Sequence, residues 1–286
     1  LYATHSPFMI FDYTPGNLLV VELDKRKHLS RIFYDYWNAD DKTLTPILYG
    51  LCRGQVEAIV DREIGTNSRP VIIVETMSDS MYLNSFDKFL QDPNISMNPL
   101  NVIAAYNKNS VSPLAIFYRN HGYKTFVLLD NTEESKQISA QLESNQFSAI
   151  QTIFFERDGK KMESIEDYVV VEDYLHAVNQ TYEIKLRQEG YSNLTPESID
   201  SKDSNGILEK LRRVWQEHSE DDWGEFNNEE ITRYICEKIT LEETNFLSDK
   251  TKDQFRSLYR LIAERIRQYQ NTATKPDLEK FQKKKE

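Results

Sequence analysis

Pro70-Val71-Ile72-Ile73-Val74-Glu75-Thr76-Met77-Ser78-Asp79-Ser80-Met81-Tyr82-Leu83 sets a run of β-formers directly before a carboxylate, with a second carboxylate one helical turn further on. The unbroken apolar run Val71 to Val74 is the pattern of a strand buried on both faces of a sheet. Ser78 and Asp79 are good N-cap types, and Met81, Leu83, Phe86, Phe89 and Leu90 then keep helical spacing. Glu75 thus leaves the carboxyl end of a strand while Asp79 opens a helix. Both are directed toward the crevice in which open α/β sheets bind ligands.

A second run, Lys124-Thr125-Phe126-Val127-Leu128-Leu129-Asp130, also ends in an acid, and Asn131-Thr132-Glu133-Glu134-Ser135 leads into the helical stretch Gln137 to Leu142. If the two strands are parallel neighbours, Asp130 lies close to Glu75. Clustered carboxylates are costly unless a cation neutralises them, and hard oxygen ligands suit Mg²⁺, Mn²⁺ or Ca²⁺. Taken singly, each acid is better read as a cap on the helix that follows it. Taken together, they favour the cation.

In order along the chain, Glu75-x-x-x-Asp79 with Tyr82-Leu83, Leu128-Leu129-Asp130-Asn131, and Ile165-Glu166-Asp167-Tyr168 resemble the Toprim domain of the OLD family of ATP-dependent endonucleases. The resemblance spans residues 66 to 170. It implies metal-dependent phosphodiester hydrolysis of DNA, with Glu75, Asp79, Asp130 and Glu166 as catalytic residues. It also implies a Mg²⁺ or Mn²⁺ site drawing on Glu75, Asp79, Asp130, Thr132, Glu133, Glu166 and Asp167, with Glu166 preferred over Asp167 and Glu163 left in solvent. Two positions depart from the family pattern. Thr76 stands where the family has Gly, and Thr132 stands where the second Asp of Asp-x-Asp is expected, with Glu133 as the compensating carboxylate.

The first residues, Leu1-Tyr2-Ala3-Thr4-His5-Ser6-Pro7, resemble the switch-histidine segment of ABC-type ATPase heads, which precedes Toprim in the same family. The resemblance makes His5 the residue that senses the γ-phosphate of ATP. No Gly-x-x-x-x-Gly-Lys-Ser/Thr occurs in the 286 residues, so ATP is expected to be held mainly by a preceding part of a larger protein. Asn17 to Leu23 reads as a strand, Asp24 to His28 as a charged hairpin tip, Thr45 to Ile64 as a helix and Gly65 to Pro70 as a linker.

Beyond the first strand and helix, Asn101 to Tyr106 and Ala149 to Phe155 read as further strands, and Pro113 to Asn120 reads as a helix. At the turn Asn107-Lys108-Asn109-Ser110, Lys108 or the backbone amides meet a phosphate, or Ser110 caps the helix. After Glu172 the chain turns helical, at Tyr174 to Glu189, Gly206 to Glu217, Ile231 to Ile239 and Ser248 to Tyr269. Lys252, Arg256, Arg260 and Arg267 align on one side of the last helix and either grip a DNA backbone or form a solvated salt-bridging face. The family also uses a lysine in this region. Lys238 is the nearest candidate, placed beside Ile239 and away from Tyr234 and Ile235.

The expected architecture is therefore α/β: residues 1–65 as the end of an ATPase head, 66–172 as a parallel-sheet Toprim domain and 173–286 as an associated helical region. A net charge of −11 is unusual for a DNA-binding chain, so binding would need local basic patches, bridging metals or a basic partner. The two cysteines, Cys52 and Cys236, have no metal-ligand spacing and read as buried thiols of a reducing compartment. No secretory signal or membrane-length apolar run appears, and a cytoplasmic protein without a membrane partner is expected. Family resemblance adds a homo-oligomer formed through the ATPase head and a role in bacterial anti-phage defence with protein, RNA or DNA components. The competing reading is a catalytically degenerate Toprim scaffold for assembly or partner binding. A primase or topoisomerase fragment is a third, disfavoured by the lack of a zinc-binding cysteine set or a catalytic tyrosine motif.

Overall fold

The computed structural model describes residues 20–24, 29–33, 70–92, 100–105, 108–120, 123–144, 150–157, 159–188, 193–199, 206–217 and 226–272. His5, Cys52, the 45–64 helix and most of the expected ATPase-head segment lie outside them. The chain divides into two compact units, Leu1–Ser80 with Pro99–Thr152 and Met81–Asn98 with Ile153–Glu286. Strands β1 (Val20–Asp24) and β2 (Leu29–Phe33) pair antiparallel, with Val21 opposite Ile32 and both exposed. Of the strand expected at 17–23, residues 20–23 lie in β1, which runs on to Asp24, and residues 17–19 lie outside the described residues.

The first unit is organised by a parallel sheet. β3 (Val71–Val74), β4 (Asn101–Ala104), β5 (Thr125–Leu129) and β6 (Gln151–Phe154) lie in the order β4-β3-β5-β6. β3 is central, with Val74 opposite both Ala104 and Leu128. All four β3 residues and all five of β5 are buried, as expected for strands covered by helices on both faces. The chain steps from β3 to β4 on one side, then back across to β5 on the other. Strand order therefore reverses between β3 and β5, which places a topological switch point at the carboxyl ends bearing Glu75 and Asp130.

Helix α1 (Met77–Leu90) starts immediately after Glu75 and Thr76, and Tyr82, Leu83 and Phe86 on it are fully buried. It ends at Gln91, whose φ of 46° is the left-handed conformation that closes many helices. Helix α2 (Lys108–Asn120) begins two residues before Ser110. Ser110 is therefore a buried first-turn residue rather than the cap. Helix α3 (Glu133–Ser144) buries Ser135, Ile138, Ser139 and Leu142, the i, i+3, i+4, i+7 stripe of a helix packed on one side.

The second unit contains the short hairpin β7 (Glu156–Arg157) and β8 (Lys160–Lys161), a 3₁₀ turn at Ile165–Tyr168, and helices α4 (Val171–Thr181), α5 (Glu183–Gln188), α6 (Ile207–Glu217), α7 (Asn228–Thr240) and α8 (Asp249–Thr272). The helix expected over 174–189 is broken at Tyr182, between α4 and α5. Its core is aromatic. Phe86 and Phe255 stack with ring centroids 3.7 Å apart, Tyr168 lies 6.0 Å from Phe255, and the Tyr259 hydroxyl donates to the Leu83 carbonyl at 2.8 Å. Offset and tilted aromatic pairs of this kind add about 0.5–1.5 kcal/mol each beyond area burial. Cys236 is a buried free thiol whose pKa burial pushes up to about 11, as a structural thiol requires. Among the described residues no helix is long and apolar enough to cross a membrane.

Candidate functional site

The first unit brings together Glu75, Asp130, Lys108, Thr132, Glu134 and Ser135. Glu75 has no exposed surface. Its Oε1 accepts from the Asp130 amide at 2.7 Å and from the Ser135 hydroxyl at 2.7 Å. Oε2 is also buried, has no hydrogen-bond partner, and faces the Lys108 ammonium at 3.9 Å. Burial raises the Glu75 pKa, against the lowering effects of Ser135, the Asp130 amide and Lys108. Lys108 Nζ also donates to Glu134 Oε2 at 2.9 Å and Thr132 Oγ1 at 3.2 Å. Burial pulls the Lys108 pKa down, but Glu134, Glu75 and Asp130 together raise it on balance. The ammonium sits where several carboxylates converge.

Asp79 is used differently from the expectation. Its Oδ2 accepts from the Thr76 amide and the Thr76 hydroxyl, both at 2.8 Å, while Thr76 Oγ1 accepts from the Asp79 amide at 3.2 Å. This reciprocal arrangement is a capping box that opens α1. Thr76, where the resembled family has Gly, is thus the cap residue, and Ser78 and Asp79 are not. Thr132 plays the corresponding part for α3, accepting from the Ser135 amide at 3.2 Å and sharing a 2.8 Å hydroxyl bond with Ser135. Glu133, expected as the compensating ligand, is exposed and paired with Lys136, and its neighbour Glu134 reaches Lys108 instead.

Glu166 and Asp167 belong to the second unit. Glu166 is buried, and its Oε1 accepts from Asn228 Nδ2 at 3.2 Å. Burial raises its pKa, partly opposed by hydrogen bonds from Ser164 and Asn228. Asp167 is occupied by amides: Oδ2 accepts from Glu163 N at 2.9 Å and Ser164 N at 3.3 Å, and Oδ1 from Ile207 N at 2.9 Å. Glu163 is exposed, as expected, and its Oε2 accepts from the Gly206 amide at 2.9 Å. Glu163 and Asp167 therefore satisfy the first amides of α6, and Gly206 is the residue whose lack of a Cβ lets both approach. A Cβ there would meet Glu163 Oε2 at 2.7 Å and Asp167 Oδ2 at 3.0 Å.

Lys238 pairs with Glu243, and its Nζ lies 5.7 Å from the centre of the Tyr234 ring. This corrects its expected placement away from Tyr234, since residues four apart share a helix face. On α8, Lys252 pairs with Asp249 at 3.0 Å and Arg256 with Asp253 at 2.6 Å. Those two cations form a salt-bridged face.

Among the described residues no group of three or more His, Cys, Asp or Glu side chains is gathered as a metal cage. Magnesium-type ions, however, are commonly held by one or two carboxylates, with water and substrate phosphate completing the shell. The buried Glu75 Oε2, without a hydrogen-bond donor, fits that role, with Asp130 as the adjacent carboxylate. Asp79 Oδ2 is engaged in the α1 cap, both Asp167 oxygens accept backbone amides, and Glu133 Oε1 is paired with the surface Lys136. The pattern of acids at strand ends was legible in the sequence; the roles of Ser135, Glu134 and Thr76 were not. Comparison with protein-family models, curated proteins and solved structures found nothing that matches this chain.

Proposed function

We propose that the chain is the Toprim-like part of a metal-dependent DNA endonuclease controlled by an ATPase head, as its resemblance to the OLD family implies. The carrying observation is Glu75: a fully buried carboxylate at a sheet switch point, one oxygen fixed by the Asp130 amide and Ser135 and the other without a hydrogen-bond donor. Glu75 and Asp130 would hold Mg²⁺ or Mn²⁺. When bound, such an ion supplies charge stabilisation at phosphoryl oxygens and a water made acidic enough to attack. Ser135 and the Asp130 amide keep Glu75 in one orientation, and Lys108 offers a positive charge beside the position a phosphate would take. ATP sensing through His5, assembly as a homo-oligomer, and a cytoplasmic anti-phage role with further protein or nucleic-acid components belong to the same proposal.

A second reading, a Toprim-like scaffold that no longer cuts, is favoured by one specific observation. Lys108 already supplies a cation to Glu75 and Glu134, and it bonds to Thr132, where the family pattern has a carboxylate. Cleavage of supercoiled and linear DNA by the full-length protein with Mg²⁺ or Mn²⁺ and ATP, with any required partner included, separates the two. Metal-dependent cutting that is lost in both Glu75→Ala and Asp130→Ala supports the nuclease. Absence of cutting by the wild type under every metal and nucleotide condition supports the scaffold.

A further inference from the structure

Lys108 links the buried acid of the first unit to the surface. Its Nζ faces Glu75 Oε2 at 3.9 Å and donates to Glu134 Oε2 at 2.9 Å, and of these two carboxylates the first is fully buried and the second exposed. Glu75 Oε2 is itself buried and has no hydrogen-bond donor. The Lys108 side chain is partly exposed, so it has solvent into which to move. Moving it does not loosen Glu75. Oε1 stays held by the Asp130 amide and the Ser135 hydroxyl, both at 2.7 Å. Ser135 gives its single proton to Glu75, so it accepts in its 2.8 Å bond with Thr132, and Thr132 offers Lys108 a lone pair only. The lysine is thus the outer end of a chain that leads to Oε1, and at Oε2 it acts by charge alone.

An ammonium and a divalent ion compete for the same oxygen. An ion bound to Oε2 at about 2.1 Å would stand well within a Debye length, about 8 Å, of an ammonium kept in place. Lys108 therefore opposes binding of the ion to the free protein. A phosphate removes that opposition in two ways. It supplies oxygens that complete the shell of the ion. It also offers Lys108 an anionic partner, and the pair that Lys108 makes with the exposed Glu134 is too weak to hold it back. We propose that Lys108 is a gate that couples the ion to the substrate: in the free protein it closes Glu75 Oε2, and a phosphodiester draws it aside, so that ion and phosphate bind together. By linkage the coupling is reciprocal, and the phosphate too is held weakly until the ion is present. The inference rests on the metal-dependent reading of Glu75 and Asp130 and adds the control of that site.

Mn²⁺ binding to the 286-residue chain, followed by electron paramagnetic resonance in excess dimethyl phosphate and in sodium chloride of equal ionic strength, tests the gate without requiring cleavage. Dimethyl phosphate carries the diester charge and is too small to engage distant surfaces. In the wild type it is expected to tighten Mn²⁺ binding roughly ten-fold, within the ordinary range of coupling between sites. Lys108→Met is expected to bind Mn²⁺ roughly ten-fold more tightly than the wild type in chloride and equally tightly in the diester, because its gate is already open. Lys108→Arg keeps the charge and retains the wild-type response. A diester without effect on the wild type overturns the proposal. So does a Lys108→Met variant that exceeds the wild type by the same factor in both media, since the ammonium then never leaves Glu75. If Glu75→Gln abolishes Mn²⁺ binding while Lys108→Met leaves it unchanged, the metal site stands and the gate falls. Mn²⁺ bound by no form in either medium overturns the gate and the nuclease reading together.

Discussion

Lys108 Nζ stands 3.9 Å from Glu75 Oε2, so a fully buried carboxylate of the first unit is answered by a side chain from the helix that follows the neighbouring strand. The same ammonium bonds to Glu134 and Thr132 at the start of α3. One lysine therefore links the ends of β3, α2 and α3, at the place where the nuclease reading needs a metal ion.

Lys108→Met retains most of the aliphatic stem and removes the charge. The Lys108 side chain is 33% exposed, so its ion pairs are partly screened by solvent. The expected loss is about 1–2 kcal/mol, in the range of a charge-assisted hydrogen bond. Urea unfolding at neutral pH measures it. If the acids accept a hard cation, added Mn²⁺ restores more stability to the variant than to the wild type, because binding to the folded state alone stabilises it. An unchanged urea midpoint in the variant would show that Lys108 and Glu75 are not energetically coupled.

Glu166 offers a pH-dependent test in the second unit. Burial raises its pKa from the ordinary value of 4.5, so the folded state holds this proton more tightly than the unfolded state does. Where the folded state binds more protons, stability falls as pH rises. The Glu166 contribution is therefore most favourable below about 4.5 and is lost progressively as pH climbs through its raised folded value. Glu166→Gln keeps an acceptor for Asn228 and removes the ionisation. Its stability at pH 8 should equal or exceed that of the wild type, with a shallower decline from pH 5 to 8 in urea titrations. A steeper decline in the variant would contradict this assignment.

Asp167 is predicted to matter for stability before it matters for chemistry. It accepts three backbone amides, including the first amide of α6. Asp167→Ala should cost about 2 kcal/mol, the upper range for loss of a helix cap. Gly206→Ala should cost about 1 kcal/mol or more, since its Cβ would press on the Glu163 and Asp167 carboxylates. Urea midpoints measure both, and an Asp167→Ala variant of wild-type stability would return this residue to the list of metal ligands.

These outcomes mark where the sequence was legible and where it was not. Val71–Val74 and Thr125–Leu129 announce buried parallel strands because both sheet faces are covered, but the approach of Asp130 to Glu75 requires the two strands to be neighbours, which the apolar runs do not fix and the pairing of β3 with β5 supplies. The local pattern cannot tell a ligand from a cap. Asp79 has the spacing of a catalytic acid and also the spacing of a capping box with Thr76, and the hydroxyl at position 76 decides between them. Asp167 and Glu163 find their amides some forty residues away, at Ile207 and Gly206. No periodicity carries that pairing. Lys108 was visible as a lysine in a strand-to-helix turn, but its acidic partners come from β3 and α3 and appear only once the strand order is known.

Thr132→Asp is the substitution that bears most directly on the two functional readings. Thr132 caps α3 through its hydroxyl and accepts from Lys108, so it lies within reach of the same ammonium as Glu75. Aspartate is as good an N-cap as threonine or better, so the helix start should be retained at little cost. The new carboxylate adds a hard oxygen ligand and a negative charge next to Asp130, both of which favour a divalent ion over a lone ammonium. Mn²⁺ affinity measured by electron paramagnetic resonance should rise roughly ten-fold, the effect expected from about 1.4 kcal/mol of added coordination. If the wild type binds Mn²⁺ weakly and the variant binds it well, Thr132 is what holds the site below metal-binding strength. If neither binds, Lys108 is the resident cation of this site and the scaffold reading gains its direct support.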